Sequence, residues 1–249
     1  EKIADRLSAA RPDLSITLSS QVCPEIREYE RQSTACANAY VQPLMSRYLT
    51  KLDEALQSMG FMCPFLLMTS GGGLTTLDTS IKFPVRLVES GPAGGAILAT
   101  EIAKECGIDN VLSFDMGGTT AKICLIDDYT PQMTRTFEVA RVYRNLKGSG
   151  LPLRIPAIEM VEIGAGGGSI AKVDEMKRIS VGPESSGASP GPACYGQGGL
   201  DATVTDADVI LGRIDPKDFA GGAVKLAPEK ADLALQTAVG DQLSLNSSL

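Results

Sequence analysis

The stretch Val111-Leu-Ser-Phe-Asp-Met-Gly-Gly-Thr-Thr-Ala-Lys-Ile-Cys-Leu-Ile126 constrains this chain more than any other. Short apolar runs flank a pair of adjacent glycines, the pattern of strand, tight turn, strand. We expect Asn110 to Asp115 as the first strand, Gly117-Gly118 as the turn and Ala121 to Ile126 as the second strand. The two glycines let the backbone bend sharply and approach a ligand with no Cβ in the way. Successive N–H groups in such a bend form an anion cradle suited to phosphate. Thr119 and Thr120 add hydroxyl donors. Asp115, at the rim, can hold Mg2+ directly or through water, because Mg2+ takes one or two carboxylates and keeps its waters. Lys122 can neutralise phosphate charge, or face solvent if the pleat turns it outward. The plainer alternative is a Gly-Gly hairpin between two core strands.

Around this stretch the pattern is mixed. Lys2 to Ala10 reads as a helix ended by Arg11-Pro12-Asp13, and Leu14 to Ser20 alternates like a strand. Pro24 to Met59 reads as a long helical region with Pro24 in its first turn, Pro43 kinking or dividing it and Gly60 as its stop. Phe65 to Met68 reads as a strand running into a Thr69 to Gly73 turn, and Val85 to Val88 as another strand. Ser90 is placed as N-cap of a helix reaching Cys106, with Gly107 as its stop. Extended segments are expected from Arg135 to Arg144 and from Ile158 to Ile163, then the glycine run Gly164 to Gly168. Strands at Ser169 to Val173 and Arg178 to Val181 precede a Gly/Pro/Ser-rich loop, Gly182 to Gly199. Helices return at Thr205 to Leu211 and Pro228 to Val239. Loose alternation with one clear hairpin predicts an α/β fold with a mixed sheet flanked by helices.

Composition removes whole classes of chemistry. The 249 residues include no histidine and no tryptophan. A Ser-His-Asp or Cys-His nucleophile, or a histidine-ligated metal, cannot be assembled from this chain alone. Proton transfer is left to carboxylates, Lys, Tyr, Cys or metal-held water. Gly187-Ala-Ser-Pro-Gly191 matches a nucleophile elbow in letters only. The residue after its serine, Pro190, has no N–H for an oxyanion hole. There is no P-loop, and Ser169 stands where the dinucleotide fingerprint after Gly164 wants its third glycine. The formal charge of −7 argues against a nucleic-acid or anionic-membrane surface. No apolar run approaches the roughly 18–20 residues of a membrane span. The six cysteines form no C-x-x-C pair and read as reduced thiols, and the opening residues lack a signal peptide's pattern. A cytoplasmic protein is therefore expected.

Several glycine-rich blocks in order carry a resemblance. Pro24-Glu-Ile-Arg-Glu-Tyr-Glu-Arg31, Met68-Thr-Ser-Gly-Gly-Gly-Leu74, Val88-Glu-Ser-Gly-Pro-Ala-Gly-Gly95 and Phe114-Asp-Met-Gly-Gly-Thr-Thr120 open the series. Glu162-Ile-Gly-Ala-Gly-Gly-Gly-Ser-Ile170, Gly187-Ala-Ser-Pro-Gly-Pro-Ala-Cys-Tyr-Gly196 and Thr203-Val-Thr-Asp-Ala207 complete it. From about Leu14 to Val239 the chain resembles the hydantoinase A / 5-oxoprolinase family, which includes N-methylhydantoinase A and the acetone carboxylase β subunit. The 114–122 string is similar to a phosphate loop of the actin, sugar kinase and heat-shock ATPase superfamily.

The resemblance implies an actin-like ATPase (ribonuclease H-like) lobe, with residues 1–249 as the central domain of a longer chain whose N-terminal lobe and C-terminal region lie outside it. It implies ATP-dependent phosphorylation of the amide oxygen of hydantoin, N-methylhydantoin or 5-oxoproline, so that water opens the ring, with ATP and Mg2+ required. The expected catalytic residues are Asp115, Thr119 and Thr120, with Asp115 also on the metal. Gly117, Gly118, Lys122, Gly164, Gly166, Gly167 and Gly168 are expected on the nucleotide, the last four at the superfamily's adenosine motif, against the alternative of a closely packed turn. A hydantoinase B-like partner subunit or a homo-oligomer is expected. An acetone carboxylase-type ligase subunit and a non-catalytic nucleotide-binding subunit remain as alternatives. For Ser70 to Gly73 and Glu162, cleft-lining and purely structural roles both stay open; for Ser90 to Gly95 the choice is between anion binding at a helix N-terminus and close helix packing. Asp206 and Asp208 read as first-turn residues of a helix.

Overall fold

The computed structural model describes residues 2–143, 146 and 148–245. The chain divides into two compact units: Glu1–Ser113 with Cys124–Glu159, and Phe114–Ile123 with Met160–Leu249. The α/β class expected from the sequence is observed.

The first unit starts with α1 (Lys2–Ala10), the short α2 (Ser19–Val22) and the long α3 (Glu28–Ser58). Residues 14–18 form no strand. Their alternation has no neighbouring strand to pair with, and Thr17 instead donates to Gln42 of α3 at 3.1 Å. α3 begins at Glu28, four residues after Pro24, and Pro43 sits inside it without dividing it. A proline inside a helix costs it about 3 kcal/mol. Here side-chain bonds from Asn38 and Gln42 to the backbone at Ile81 and Lys82 anchor the helix in the turn just before the proline. Met59 caps it and Gly60 follows at φ +88°.

β1 (Leu66–Met68) and β2 (Leu74–Thr76) form an antiparallel hairpin around the 69–73 turn. α4 (Leu77–Lys82) leads to a 3-10 turn, Pro84–Leu87, where a strand was expected. Asn38 accepts from the Val85 N–H at 3.3 Å, which occupies the donor a strand ladder needs. α5 (Ser90–Cys106) has Glu89, not Ser90, at its N-cap in left-handed geometry, and Gly107 ends it at φ +66°. Ala93 and Ala96 are wholly buried, and a Cβ on Gly94 would reach within 3.8 Å of Met68. Ala93 and Ala96 therefore serve close packing, while Gly91 and Gly95 have open space where a Cβ would stand.

β3 (Asn110–Met116) and β4 (Ala121–Asp127) form the expected hairpin, and β5 (Thr130–Pro131) pairs with the end of β4. β6 (Met133–Thr134), β7 (Phe137–Val139), β8 (Leu151–Leu153) and β9 (Ala157–Ile158) pair antiparallel as β6–β9 and β7–β8. The expected extended segment 135–144 is broken at 140–143, and Arg144 lies outside the described residues. The first unit's core joins Val22, Val85, Leu153 and Ile155.

In the second unit β10 (Val161–Ile163) pairs antiparallel with the start of β4, while β11 (Ser169–Val173) pairs with β12 (Ile179–Ser185). β12 extends four residues beyond the expected strand end at Val181. The loop after it carries a 3-10 turn, Ala193–Tyr195. α6 (Val204–Ile210) and α7 (Pro228–Leu235) follow, the latter continuing as a π-turn to Gly240. Cys194, Val209, Leu226 and Ala231 form one core cluster, with the Tyr195 and Phe219 rings 5.7 Å apart beside it. All pairings of described register are antiparallel. Among the described residues no helix is long and apolar enough to cross a membrane.

Candidate functional site

The second unit brings together the two glycine blocks that the sequence singled out. The Gly117 N–H donates to the Thr120 carbonyl at 2.9 Å and closes the bend. The Gly164–Gly168 run then lies backbone to backbone against it. Gly167 N–H donates to Gly117 O at 2.9 Å, and Gly168 N–H to Gly118 O at 2.8 Å. This approach requires glycine. A Cβ on Gly166 would stand 2.6 Å from both Gly117 O and Thr119 N, and one on Gly168 would stand 2.8 Å from Ser185 Oγ and 3.0 Å from Gly118 O.

With the bend's carbonyls taken, its amides are left over. Among the described residues, the N–H groups of Gly118, Thr119 and Thr120 donate no hydrogen bond, and neither threonine hydroxyl has a partner. Gly117, Gly118 and Thr119 are exposed and Thr120 is half-buried. The bend is therefore an open surface feature rather than a sealed core hairpin. Asp115, on β3, is exposed beside it.

Lys122 is held differently. Antiparallel pairing sets it directly opposite Glu162, and its Nζ lies 3.3 Å from Glu162 Oε1. Only 14% of the lysine side chain is exposed, against 55% for the glutamate. The pair is a cross-strand contact of modest strength, and it fixes the lysine's direction two residues beyond the threonines.

A supporting shell, which the sequence reading did not identify, holds the glycine run. Thr205 donates to Gly167 O through both its N–H and its hydroxyl, each at 2.8 Å. Ser169 Oγ accepts from Gly166 N–H at 2.9 Å, and Ser186 N–H donates to Gly168 O at 2.8 Å. Thr205 is itself placed by the start of α6, where Thr203 and Asp206 form a capping box. Asp206, fully buried, accepts from Thr203 Oγ1 at 2.7 Å, Thr203 N–H at 2.9 Å and Cys194 N–H at 2.8 Å. That carboxylate ties the Gly/Pro loop to α6, so its role is structural. Burial, with the Asp206 carboxylate adding to it, pushes the Cys194 thiol up to about 12 and leaves it inert. Asp206 is in the first turn of α6 as expected, Asp208 is not, and the Thr-x-x-Asp spacing from Thr203 is the local signal for the cap; the long-range bonds from Thr205 and Ser186 carry no local signal.

The geometry fits a nucleotide's phosphates: exposed amides, free hydroxyls and one carboxylate at the rim. Among the described residues no group of three or more Asp, Glu or Cys side chains could cage a metal. A Mg2+ arriving with phosphate oxygens and water would need only one protein carboxylate, and Asp115 is the carboxylate beside the bend. Neither of the two described cavities includes the bend. Ser70 to Gly73 lie in the first unit, where Ser70 is buried and Thr69 and Gly71 line a cavity.

A hydantoinase/oxoprolinase family model matches residues 31–247. An uncharacterized protein of Methanocaldococcus jannaschii is 43% identical over 90% of this chain and 33% of its own length. The alpha subunit of caprolactamase from Pseudomonas jessenii is 36% identical over 96% of this chain and 33% of its own. The ATP-dependent caprolactamase structure from that organism superposes with a TM-score of 0.67 at 34% identity, covering 97% of this chain and 34% of its own. A nucleotide-free acetone carboxylase structure, from work on ATP-dependent acetone carboxylation, superposes with a TM-score of 0.71 at 26% identity, over 98% of this chain and 33% of its own. The chain thus spans about a third of the length of these relatives. The actin-like ATPase fold expected from the sequence is the fold of these structural neighbours.

Proposed function

Because the chain belongs to the hydantoinase/oxoprolinase family, we propose that it is the central domain of an ATP-dependent enzyme that opens a cyclic amide: hydantoin, N-methylhydantoin or 5-oxoproline. The observation that carries this reading is the open bend at Gly117–Thr120, braced from behind by glycine carbonyl contacts so that its amides face outward. ATP supplies the phosphoryl group that makes the amide oxygen leave as phosphate. Gly118, Thr119 and Thr120 donate N–H bonds to phosphate oxygens, and the two threonine hydroxyls add to them. Asp115 holds Mg2+ directly or through its water. Lys122, aimed by Glu162, balances phosphate charge from the flank. Gly164, Gly166, Gly167 and Gly168 line the nucleotide's path and set the bend's position. These residues position and stabilise charge, which is most of what phosphoryl transfer asks of a protein, and none of that needs histidine.

The same loop serves an ATP-dependent carboxylase subunit equally well, and the superposition on acetone carboxylase favours keeping that second reading. A hydantoinase B-like partner or a homo-oligomer would complete either enzyme, and the cytoplasm suits the unpaired thiols. The deciding experiment measures phosphate release by the full-length protein with its partner. Release should rise when hydantoin, N-methylhydantoin or 5-oxoproline is added. No stimulation by any of them removes the hydrolase reading, and bicarbonate-dependent ATP use with a ketone establishes the carboxylase one.

A further inference from the structure

The first unit contains a cavity of about 440 Å3 lined by no residue of the phosphate bend. Segments far apart in sequence meet there: Val22 to Glu25, the β1–β2 turn, Arg86, and Arg154 to Pro156. Two arginines and one carboxylate line it, so its walls carry a surplus positive charge. Glu25 is already matched, with Oε2 3.0 Å from Arg154 Nε. That nitrogen is buried and its N–H is not aimed at the carboxylate, so the contact is an ion pair without a hydrogen bond. Arg154 also donates to Thr136 Oγ1 at 2.8 Å. Arg86 has no carboxylate partner among the described residues. Its guanidinium sits 4.9 Å from the Phe83 ring centroid and makes one long bond, 3.5 Å, to Val22 O. A half-buried cation in this state is complemented by an anion.

The site is held by buried polar side chains. Thr34 and Asn38 of α3 are fully buried, one helical turn apart. Thr34 Oγ1 accepts from the Arg154 N–H at 2.8 Å. Asn38 bonds Lys82 O at 3.1 Å and Val85 N at 3.3 Å. Ser70, 2% exposed, donates to Arg86 O at 2.8 Å. Both arginine-bearing segments are thus fixed at their backbones, which is what a preorganised binding site needs. The Cys23 thiol in its wall is pushed up by burial and then by Glu25, which favours its neutral form.

We propose that this cavity binds a small organic carboxylate, its two oxygens on the Arg86 guanidinium and its apolar body against Val22, Leu74 and Ile155. The fork of arginine matches a carboxylate with two parallel bonds, and the volume lies in the range of small-molecule pockets, roughly 300–1,000 Å3. The proposal does not rest on the nucleotide reading. Its test uses full-length protein without nucleotide and a probe with no ring amide: calorimetric titration with cyclopentanecarboxylate against cyclopentanecarboxamide. The carboxylate should bind about tenfold or more tighter than its neutral amide. Arg86→Gln should remove that preference and Arg86→Lys should keep part of it, with circular dichroism matching the parent. Equal binding of the two probes to the parent overturns the proposal, whatever the variants do. So does a preference that survives Arg86→Gln, or inorganic phosphate binding as tightly as the carboxylate.

Discussion

Gly166→Ala is the most informative single change. The new Cβ would stand 2.6 Å from Gly117 O, 2.6 Å from Thr119 N and 2.7 Å from the Thr119 carbonyl carbon, where ordinary contact begins at 3.4 Å. All three neighbours are backbone, so no side chain can rotate away. The two loops must part by about 0.8 Å, the difference between those distances. Overpacking of this kind costs about 1–3 kcal/mol. Weakening the Gly167–Gly117 and Gly168–Gly118 bonds adds roughly 1 kcal/mol. A local cost of about 2–4 kcal/mol follows. Hydrogen exchange reads it directly: the Gly167 and Gly168 amides should exchange roughly 30- to 1,000-fold faster, at tenfold per 1.4 kcal/mol, while peptides of the first unit keep their rates. Gly118→Ala is the matched control, since nothing lies within 4 Å of its added Cβ. Unchanged exchange in Gly166→Ala, or equal effects of the two substitutions, would refute the docked-loop geometry.

Asp115 is exposed, so Asp115→Asn should shift stability by under about 0.5 kcal/mol while abolishing ATP turnover; a melting curve beside a phosphate-release assay checks both. Asp206→Ala strips the partner from buried donors at Thr203 and Cys194, and a urea titration should show a loss of about 3–5 kcal/mol. Glu162→Gln weakens a partly exposed cross-strand pair and should cost under about 1 kcal/mol, yet raise the KM for ATP if it aims Lys122 at phosphate. With a thiol reagent at pH 8, exposed Cys36, Cys63 and Cys106 should label and buried Cys23, Cys124 and Cys194 should not, as read by mass spectrometry. The Cys194 thiol is raised from 9.0 to about 12, so the stability tied to its neutral form is complete below about pH 9 and is lost as pH climbs toward 12.

What was legible in the sequence was local. The 110–127 hairpin and the helix ending at Cys106–Gly107 follow from residues close in the chain and stand where expected; α6 starts one residue earlier than expected, with Asp206 in its first turn as expected and Asp208 beyond it. What escaped depends on distant partners. Leu14 to Ser20 has strand-like alternation, but its neighbour is a helix, and Thr17 bonds Gln42. Val85 to Val88 has strand-like residues, but Asn38, far back in the chain, takes the Val85 amide. The same holds at the site. The glycine blocks announced two flexible turns; that one docks on the other through the Gly167 and Gly168 amides, with Thr205 and Ser186 holding it there, is a tertiary fact with no periodicity to betray it.

The central claim is that the amides of Gly118, Thr119 and Thr120 bind nucleotide phosphate. A structure of the full-length protein with a non-hydrolysable ATP analogue and Mg2+ tests it most directly. The account predicts phosphate oxygens within about 3 Å of those amides, with the metal's water shell touching Asp115. A nucleotide bound elsewhere, with that bend left bare, would contradict it.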